Sequence, residues 1–261
     1  MKKHHAAAAF LLGLSSCASI ANLTGNDTHS LNLQSAQEYS QLVQKANAEN
    51  AIVSSGPDYD LASKVLTRME PYADQINQTG EPFQWQLTVF KSNEINAWVM
   101  PGGRVGVYTG LIDQLHLTEP EMAAVLGHEM THALEEHAKQ QAGAQILTNI
   151  ATGVASTYTG GVYGDAISAA SQLGVGLPYS RSLETRADLG GLMLMARSGY
   201  DPKAALSLWD KMAKFSGSGN AGGLAKYLSD HPNNAERTAA IQEAMPKAVA
   251  LYNEFLQQHK N

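Results

Sequence analysis

The spacing of apolar residues along the chain predicts helices interrupted by a short sheet. A helical repeat of apolar positions covers residues 59–76, as expected where one face of a helix packs on a core. Apolar and polar residues alternate over 83–90, the pattern of a strand with one buried face. Two further strands are predicted at 97–100 and 104–109, on either side of the turn sequence Pro101-Gly102-Gly103.

Most of the remaining chain is predicted to be helical. Thr118 and Glu121 have the spacing of a capping box, which indicates that a helix begins at Thr118. The predicted helices are 36–50, 118–137, 182–197, 202–215 and 234–258, the last interrupted at Pro246. One or two small-residue helices with a mobile loop are expected within 141–177, and a flexible loop over 216–223.

The amino terminus has the pattern of an export signal. Lys2 and Lys3 precede an apolar run at residues 6–14, which is too short to cross a bilayer. The sequence Leu14-Ser15-Ser16-Cys17 follows and resembles a bacterial lipobox, in which the cysteine thiol becomes acylated. In enteric bacteria, an Asp directly after the lipidated cysteine favours retention of a lipoprotein at the inner membrane. Ala18 stands at that position here, so the resemblance favours the outer membrane. An ordinary secretory leader with an incidental cysteine is the alternative.

Composition narrows the functional class. The 261 residues carry a net charge of −6 and contain no block of Lys and Arg, so a nucleic-acid partner is not expected. Cys17 is the sole cysteine, which excludes an intrachain disulfide. Residues 18–35 are polar and are predicted to form a tether.

The sequence His128-Glu129-Met130-Thr131-His132 is the strongest chemical signal. Residues four apart lie on one face of a helix, so both imidazoles can reach one zinc ion. Glu129 is about 100° further round the helix, where its carboxylate can take a proton from a zinc-activated water without ligating the metal.

A catalytic zinc needs a third protein ligand, and Glu184-Thr185-Arg186-Ala187-Asp188 offers one on a second helix. Glu184 could ligate the metal, while Asp188 could accept the distal N–H of a ligand histidine. The alternative, equally compatible with the spacing, is an exposed helix face on which both acids pair with Arg181 and Arg186.

Four blocks in this order resemble one known family: Asn96 to Gly103, the His128–His132 motif, Glu184 to Asp188, and Asp230-His231-Pro232. Together they resemble the gluzincin metallopeptidases of the HtpX and CAAX-prenyl-protease family. The most similar branch is that of the periplasmic lipoproteins, with LoiP-like and BepA-like members. The resemblance covers about residues 58–245.

The resemblance implies an α+β, mainly helical, zincin-type fold with a small sheet beside the active-site helix. It implies one Zn²⁺ per chain, bound by His128, His132 and Glu184, with Glu129 as general base and Asp188 as supporting carboxylate. An edge strand beside the cleft, which would pair with extended substrate, matches Asn96, Ala97, Trp98, Val99 and Met100. Trp98 and Met100 would line substrate pockets or belong to the core.

Three residues keep open alternatives. His231 is expected near the zinc, where it would stabilise an oxyanion or bind as a fourth ligand that closes the site; the alternative is a simple helix start before Pro232. Arg237 would stabilise negative charge, pair with Asp188 or Glu184, or lie in solvent. His137 is predicted to be a surface residue at the end of the motif helix.

The expected regions are a signal peptide (1–16), a lipid-anchored tether and N-terminal helix (17–57), and a zinc metallopeptidase domain (58–261). The resemblance implies hydrolysis of unfolded or misassembled envelope proteins at the periplasmic face of the envelope, with outer-membrane assembly machinery as a further candidate partner. The alternatives are a chaperone-like binding module with a latent zinc site and a purely structural metal, which usually involves cysteine.

Overall fold

The computed structural model describes residues 17–151, 179–217, 221–231 and 235–260. The predicted signal peptide and the 152–177 part of the small-residue segment lie outside the described residues. The helices are residues 17–23 (α1), Thr28–Ala48 (α2), Pro57–Ile76 (α3), Thr109–Leu115 (α4), Glu119–Leu134 (α5), His137–Ala151 (α6), Arg181–Arg197 (α7), Ala204–Gly217 (α8), Ala221–Asp230 (α9) and Ala235–Gln258 (α10). The strands are Ile52–Val53 (β1), Gln86–Phe90 (β2), Ala97–Met100 (β3) and Arg104–Tyr108 (β4).

The four strands form one sheet in the order β1-β2-β4-β3. β1 pairs antiparallel with β2, β2 pairs parallel with β4, and β3 pairs antiparallel with β4, so the 97–100 strand lies at an edge of the sheet. Trp98 lies opposite Gly106, which has no side chain, and its indole ring fills the space there. The predicted α+β, mainly helical zincin-type fold with a small sheet is confirmed.

Helix α5 is the centre of the fold. It packs on α7, α3, α8 and the edge strand β3, and its residues from Glu121 to Leu134 are all buried. The predicted capping box is confirmed, because Thr118 N donates to the Glu121 carboxylate at 2.8 Å. Burial on every side explains why the segment reads as small and apolar rather than amphipathic.

Most of the predicted polar tether is instead helical, because residues 18–23 belong to helix α1 and residues 28–35 to helix α2. Asp27 caps this helix by accepting from Ser30 N at 3.1 Å. Leu31, Ser35 and Tyr39 are buried at spacings of four residues, so the helix packs one face against the body of the protein. Polar composition misled the prediction because a narrow buried stripe on a surface helix leaves most positions polar.

Other predicted boundaries also differ from the structure. Helix α5 ends at Leu134, and Glu136 has a positive φ of 53° before α6 begins at His137. Helix α10 continues through Pro246 without interruption. Residues 221–223, predicted in a loop, begin α9, and the strand predicted from residue 83 begins at Gln86. Within the described parts of the chain, no helix is both long and apolar enough to cross a membrane.

Candidate metal centre

The two motif histidines lie on one face of α5, as their spacing predicted. Nε2 of His128 is 3.1 Å from Nε2 of His132, and both residues are buried. Helix α7 crosses α5 at this level and directs Glu184 toward them. Its Oε1 lies 3.4 Å from His132 Nε2 and its Oε2 3.5 Å from His128 Nε2. The three predicted ligands therefore place their donor atoms within reach of one metal ion.

His231, just after α9, joins this group. Its Nδ1 lies 3.2 Å from His128 Nε2 and 3.2 Å from Glu184 Oε1. One donor atom from each of four residues lies within 4.8 Å of the others: His128, His132, Glu184 and His231. The His231 side chain is buried and contacts His128 and Glu184. The alternative that His231 only starts a helix does not account for these contacts.

The spacing of these donors fits zinc. Four ligand atoms at tetrahedral corners, each about 2.0–2.1 Å from the ion, are about 3.3–3.4 Å apart. Four of the six separations between the donor atoms are 3.1, 3.2, 3.2 and 3.4 Å, close to this value, and all six are within 4.8 Å. Three imidazoles and one carboxylate are also the ligand types that zinc prefers. The set contains four protein donors, one more than an open catalytic zinc site uses.

Glu129 lies beside the donor set without belonging to it. Its Oε1 is 3.6 Å from Nε2 of His231, and the hydroxyl of Tyr227 donates to the same oxygen at 3.5 Å. Burial raises the pKa of Glu129 above its usual value, although the nearby His231 and His128 oppose the shift. A carboxylate with a raised pKa and no ligand role is suited to proton transfer.

Asp188 and Arg237 support the centre from behind. Asp188 Oδ1 lies 3.0 Å from Nδ1 of His128. Arg237 donates to both Asp188 oxygens at 2.6 and 2.7 Å, and its Nη1 is 2.9 Å from Glu184 Oε2. Burial would raise the pKa of Asp188, but hydrogen bonds from Arg237 and His128 hold it below its usual value. Arg237 is only 1% exposed, so the solvent alternative for it is wrong, as is the exposed-face alternative for Asp188 and Glu184.

The edge-strand residues divide between two surroundings. Trp98 and Met100 pack with Tyr39 and Phe90 in a small core between α2 and the sheet. Val99 points the other way, into the main core, and contributes with His132 and Tyr179 to a small cavity. Asn96 and Ala97 are buried as well. Trp98 and Met100 thus occupy the core that the sequence left as an alternative to substrate pockets.

The prediction that His137 is a surface residue is wrong. His137 is 0% exposed, and its Nδ1 lies 2.9 Å from Nδ1 of His132. Tyr179 and Tyr227 were also missed: the Tyr179 ring stacks on His132 with centroids 4.1 Å apart, and Tyr227 lies against His231 at 4.9 Å. No local sequence pattern predicts that His137, Tyr179 and Tyr227 lie at the site, because their positions there depend on a turn and on the packing of segments that are distant in sequence.

Comparison with known proteins identifies a family and several relatives. Residues 60–245 match the family described as Peptidase family M48. The mitochondrial metalloendopeptidase OMA1 of Arabidopsis thaliana is 32% identical over 67% of this chain and 35% of its own length. OMA1 of Schizosaccharomyces pombe is 30% identical over 82% of this chain and 60% of its own length. Metalloprotease LoiP of Escherichia coli is 30% identical over 78% of each chain. The chain thus spans between about a third and three fifths of the two OMA1 proteins.

Proposed function

The chain belongs to peptidase family M48, and from that premise we propose that it is a zinc-dependent endopeptidase acting on proteins of the bacterial cell envelope. One observation carries the catalytic part of the proposal. His128, His132 and Glu184 converge from two helices, and the carboxylate of Glu129 lies beside them with a raised pKa.

The residues of the chain divide the chemistry between them. Bound zinc supplies a Lewis acid that polarises a peptide carbonyl and makes water more acidic. Glu129 accepts a proton from the attacking water at its Oε1 and returns it to the leaving nitrogen, a role that suits a buried carboxylate with a raised pKa. Asp188, held by Arg237, orients the His128 ring so that Nε2 faces the metal centre.

His231 supports a latent state for this enzyme. Its ring connects the ligand set to Glu129, since Nδ1 faces His128 and Nε2 faces the Glu129 carboxylate. A water and a peptide carbonyl would have to lie in this same space. With His231 as a fourth protein ligand, a bound zinc would also keep no position open for water. We therefore propose that the arrangement is a closed form, and that His231 must withdraw before hydrolysis.

The envelope location and substrates extend the proposal. The basic residues, short apolar run and lipobox-like sequence ending at Cys17 support export and lipid attachment. The resemblance to periplasmic lipoprotein peptidases supports misfolded or stalled envelope proteins as substrates and the outer membrane as the site. A chaperone-like binding module is the second candidate, favoured by the four-ligand arrangement around the zinc site.

Cleavage of casein by the purified chain tests the activity. Wild type and His231→Ala are each assayed with and without a zinc chelator, and each is paired with Glu129→Gln. We expect His231→Ala to cleave faster than wild type, and both chelator and Glu129→Gln to abolish cleavage. Cleavage that survives Glu129→Gln would refute the catalytic assignment. Zinc binding without cleavage by either chain, combined with suppression of casein aggregation, would favour the binding module. Slower cleavage by His231→Ala would assign His231 to oxyanion stabilisation instead.

Labelling of the exported chain with a radioactive or alkyne-tagged fatty acid tests the anchor. We expect incorporation into wild type and none into Cys17→Ser. Equal labelling of both chains would refute lipid attachment at Cys17.

A further inference from the structure

A fully buried histidine beside the metal centre takes no part in the chemistry proposed above. His137 begins α6, and its Nδ1 lies 2.9 Å from Nδ1 of His132. Its other nitrogen, Nε2, lies 3.2 Å from Oε2 of Glu135. Glu135 in turn pairs with Nη2 of Arg186 at 2.5 Å. Arg186 is on α7, the helix that carries Glu184. The connected side chains therefore link His132 on α5 to the helix that carries the third predicted ligand.

The backbone brings His137 to this position by leaving the helix. His132 and His137 are five residues apart, a spacing that puts two side chains on different faces of a continuous helix. Helix α5 ends at Leu134, Glu136 adopts a positive φ, and Glu136 N donates to Ala133 O at 3.0 Å. This tight turn directs the His137 ring back against His132.

Zinc binding by His132 would fix where the protons lie in the two contacts of His137. Nε2 of His132 faces the other donors and must keep its lone pair to bind zinc, so His132 carries its proton on Nδ1. That N–H donates to Nδ1 of His137. A neutral His137 then carries its own proton on Nε2 and donates it to the Glu135 carboxylate. Every donor in this series thus meets an acceptor.

The same arrangement exists on the other motif histidine. Nδ1 of His128 faces Asp188, and Asp188 is held by Arg237. The Nδ1 of His132 instead faces His137, which is followed by Glu135 and Arg186. Each motif histidine therefore has an acceptor for its distal N–H, and an arginine pairs with the carboxylate of that series: Asp188 with Arg237 and Glu135 with Arg186.

We propose that His137 is a positioning residue that fixes the tautomer and ring orientation of His132 and so strengthens zinc binding. The inference rests on the zinc site of the proposed function. A purely structural role, in which the ring only fills space beside Tyr179, would depend on the size of the side chain. The proposed role depends on an acceptor at the position of Nδ1.

Zinc titration of the full mature chain separates these roles. His137→Phe keeps a ring of similar size without an acceptor, and His137→Asn is smaller but places an oxygen near the Nδ1 position. His29→Phe is the control, because the His29 side chain is 64% exposed and lies outside the centre. The dissociation constant for zinc is measured by competition with a fluorescent chelator, and stability of the zinc-free protein by urea unfolding.

We expect His137→Phe to weaken zinc binding about 10–100-fold, the usual effect of removing a hydrogen-bond partner of a ligand. His137→Asn should recover most of the lost affinity, and His29→Phe should bind zinc like wild type. Wild-type affinity in His137→Phe would overturn the proposal, as would an Asn variant that binds no better than the Phe variant. A wild-type chain that binds no zinc would instead refute the proposed function.

A second variant keeps the test decisive if His137→Phe does not fold. Glu135 is partly exposed, and Glu135→Ala removes the acceptor of the His137 Nε2–H without opening a buried cavity. We expect zinc binding to weaken in this variant by a smaller factor than in His137→Phe. Unchanged zinc affinity in a folded Glu135→Ala chain would count against the proposal.

Discussion

The closest approach of the two ligand-bearing helices offers a sharp test of the architecture. Helices α5 and α7 cross at Gly127 and Gly191. A Cβ added at Gly191 would lie 2.6 Å from the carbonyl carbon of Gly127 and 2.6 Å from the amide nitrogen of His128. Both obstacles are backbone atoms. Since non-bonded carbon atoms pack at about 3.5–4.0 Å, Gly191→Ala requires the helices to separate by roughly 0.9 Å or more.

This separation should weaken zinc binding as well as folding. Overpacking a core costs about 1–3 kcal/mol, and the higher helix propensity of Ala offsets up to about 1 kcal/mol of it. The expected net loss of unfolding free energy is therefore roughly 0–3 kcal/mol. Zinc ligand distances, in contrast, tolerate only about 0.2 Å. Glu184 lies on α7 and both histidines on α5, so we expect zinc affinity to fall at least about tenfold.

A neighbouring glycine provides the matched control. A Cβ added at Gly190 would meet the methyl group of Thr131, and the next nearest atoms are Thr131 Oγ1 at 3.0 Å and Cβ at 3.4 Å. Thr131→Ser removes that methyl and retains the hydroxyl, which donates to Gly127 O at 2.7 Å. The double variant Gly190→Ala/Thr131→Ser should therefore regain the affinity that Gly190→Ala loses. Thr131→Ser should not rescue Gly191→Ala, whose obstacle is backbone.

Competition with a fluorescent chelator gives the zinc dissociation constants, and urea unfolding of the zinc-free chains gives their stabilities. Wild-type zinc affinity in Gly191→Ala would refute the close contact of α5 and α7. Rescue of Gly191→Ala by Thr131→Ser would show that the obstacle is a side chain rather than the backbone.

Three further predictions concern stability and the metal. Glu121 is buried and accepts hydrogen bonds from Thr118, Ser207 and Lys211, so Glu121→Gln should cost about 1–3 kcal/mol in urea unfolding at pH 7. Burial would raise the pKa of Glu121, but these hydrogen bonds lower it. The stabilisation that Glu121 provides is therefore full above its unfolded pKa of about 4.3 and is lost as the pH falls through the lower folded pKa. The difference in unfolding free energy between wild type and Glu121→Gln should shrink below about pH 4, and a constant difference would contradict this account. Asp188→Asn should weaken zinc binding about 10–100-fold in the chelator competition, because the acceptor opposite His128 loses its charge and its pairing with Arg237; wild-type affinity would show that Asp188 does not support His128. Zinc at 100 times its dissociation constant should stabilise the chain by about 2.7 kcal/mol, and its removal should lower Tm by roughly 5–11 °C for a chain of this size; an unchanged Tm in calorimetry would argue against a site formed only in the folded state.

Several elements of the site could be predicted because their signals are local. The capping box at Thr118 and Glu121 and the four-residue spacing of His128 and His132 depend only on helix geometry. The helix predicted at 182–197 also formed, with Glu184 and Asp188 on the face toward α5. Which of the two acids approaches both histidines could not be decided from spacing, since both lie on the same face of α7.

Two predictions from local sequence were wrong because tertiary packing determined the secondary structure there. The polar composition of residues 18–35 predicted a tether, whereas the buried stripe of Leu31, Ser35 and Tyr39 gives part of α2 a core to pack against. Pro246 was predicted to interrupt a helix, and α10 runs through it. Proline removes one backbone hydrogen bond at a cost of about 3 kcal/mol, which tertiary packing along the rest of a 24-residue helix can offset.

The sequence by itself determined the helix that carries the metal motif, because helix periodicity and capping act between residues a few positions apart. Only the tertiary structure decided what surrounds that motif. His231 is 103 residues from His128, and His137 reaches His132 only because a positive φ ends α5 before it. Such contacts depend on how helices cross and where a turn redirects the chain, and these are set by the packing of the whole core rather than by any single segment.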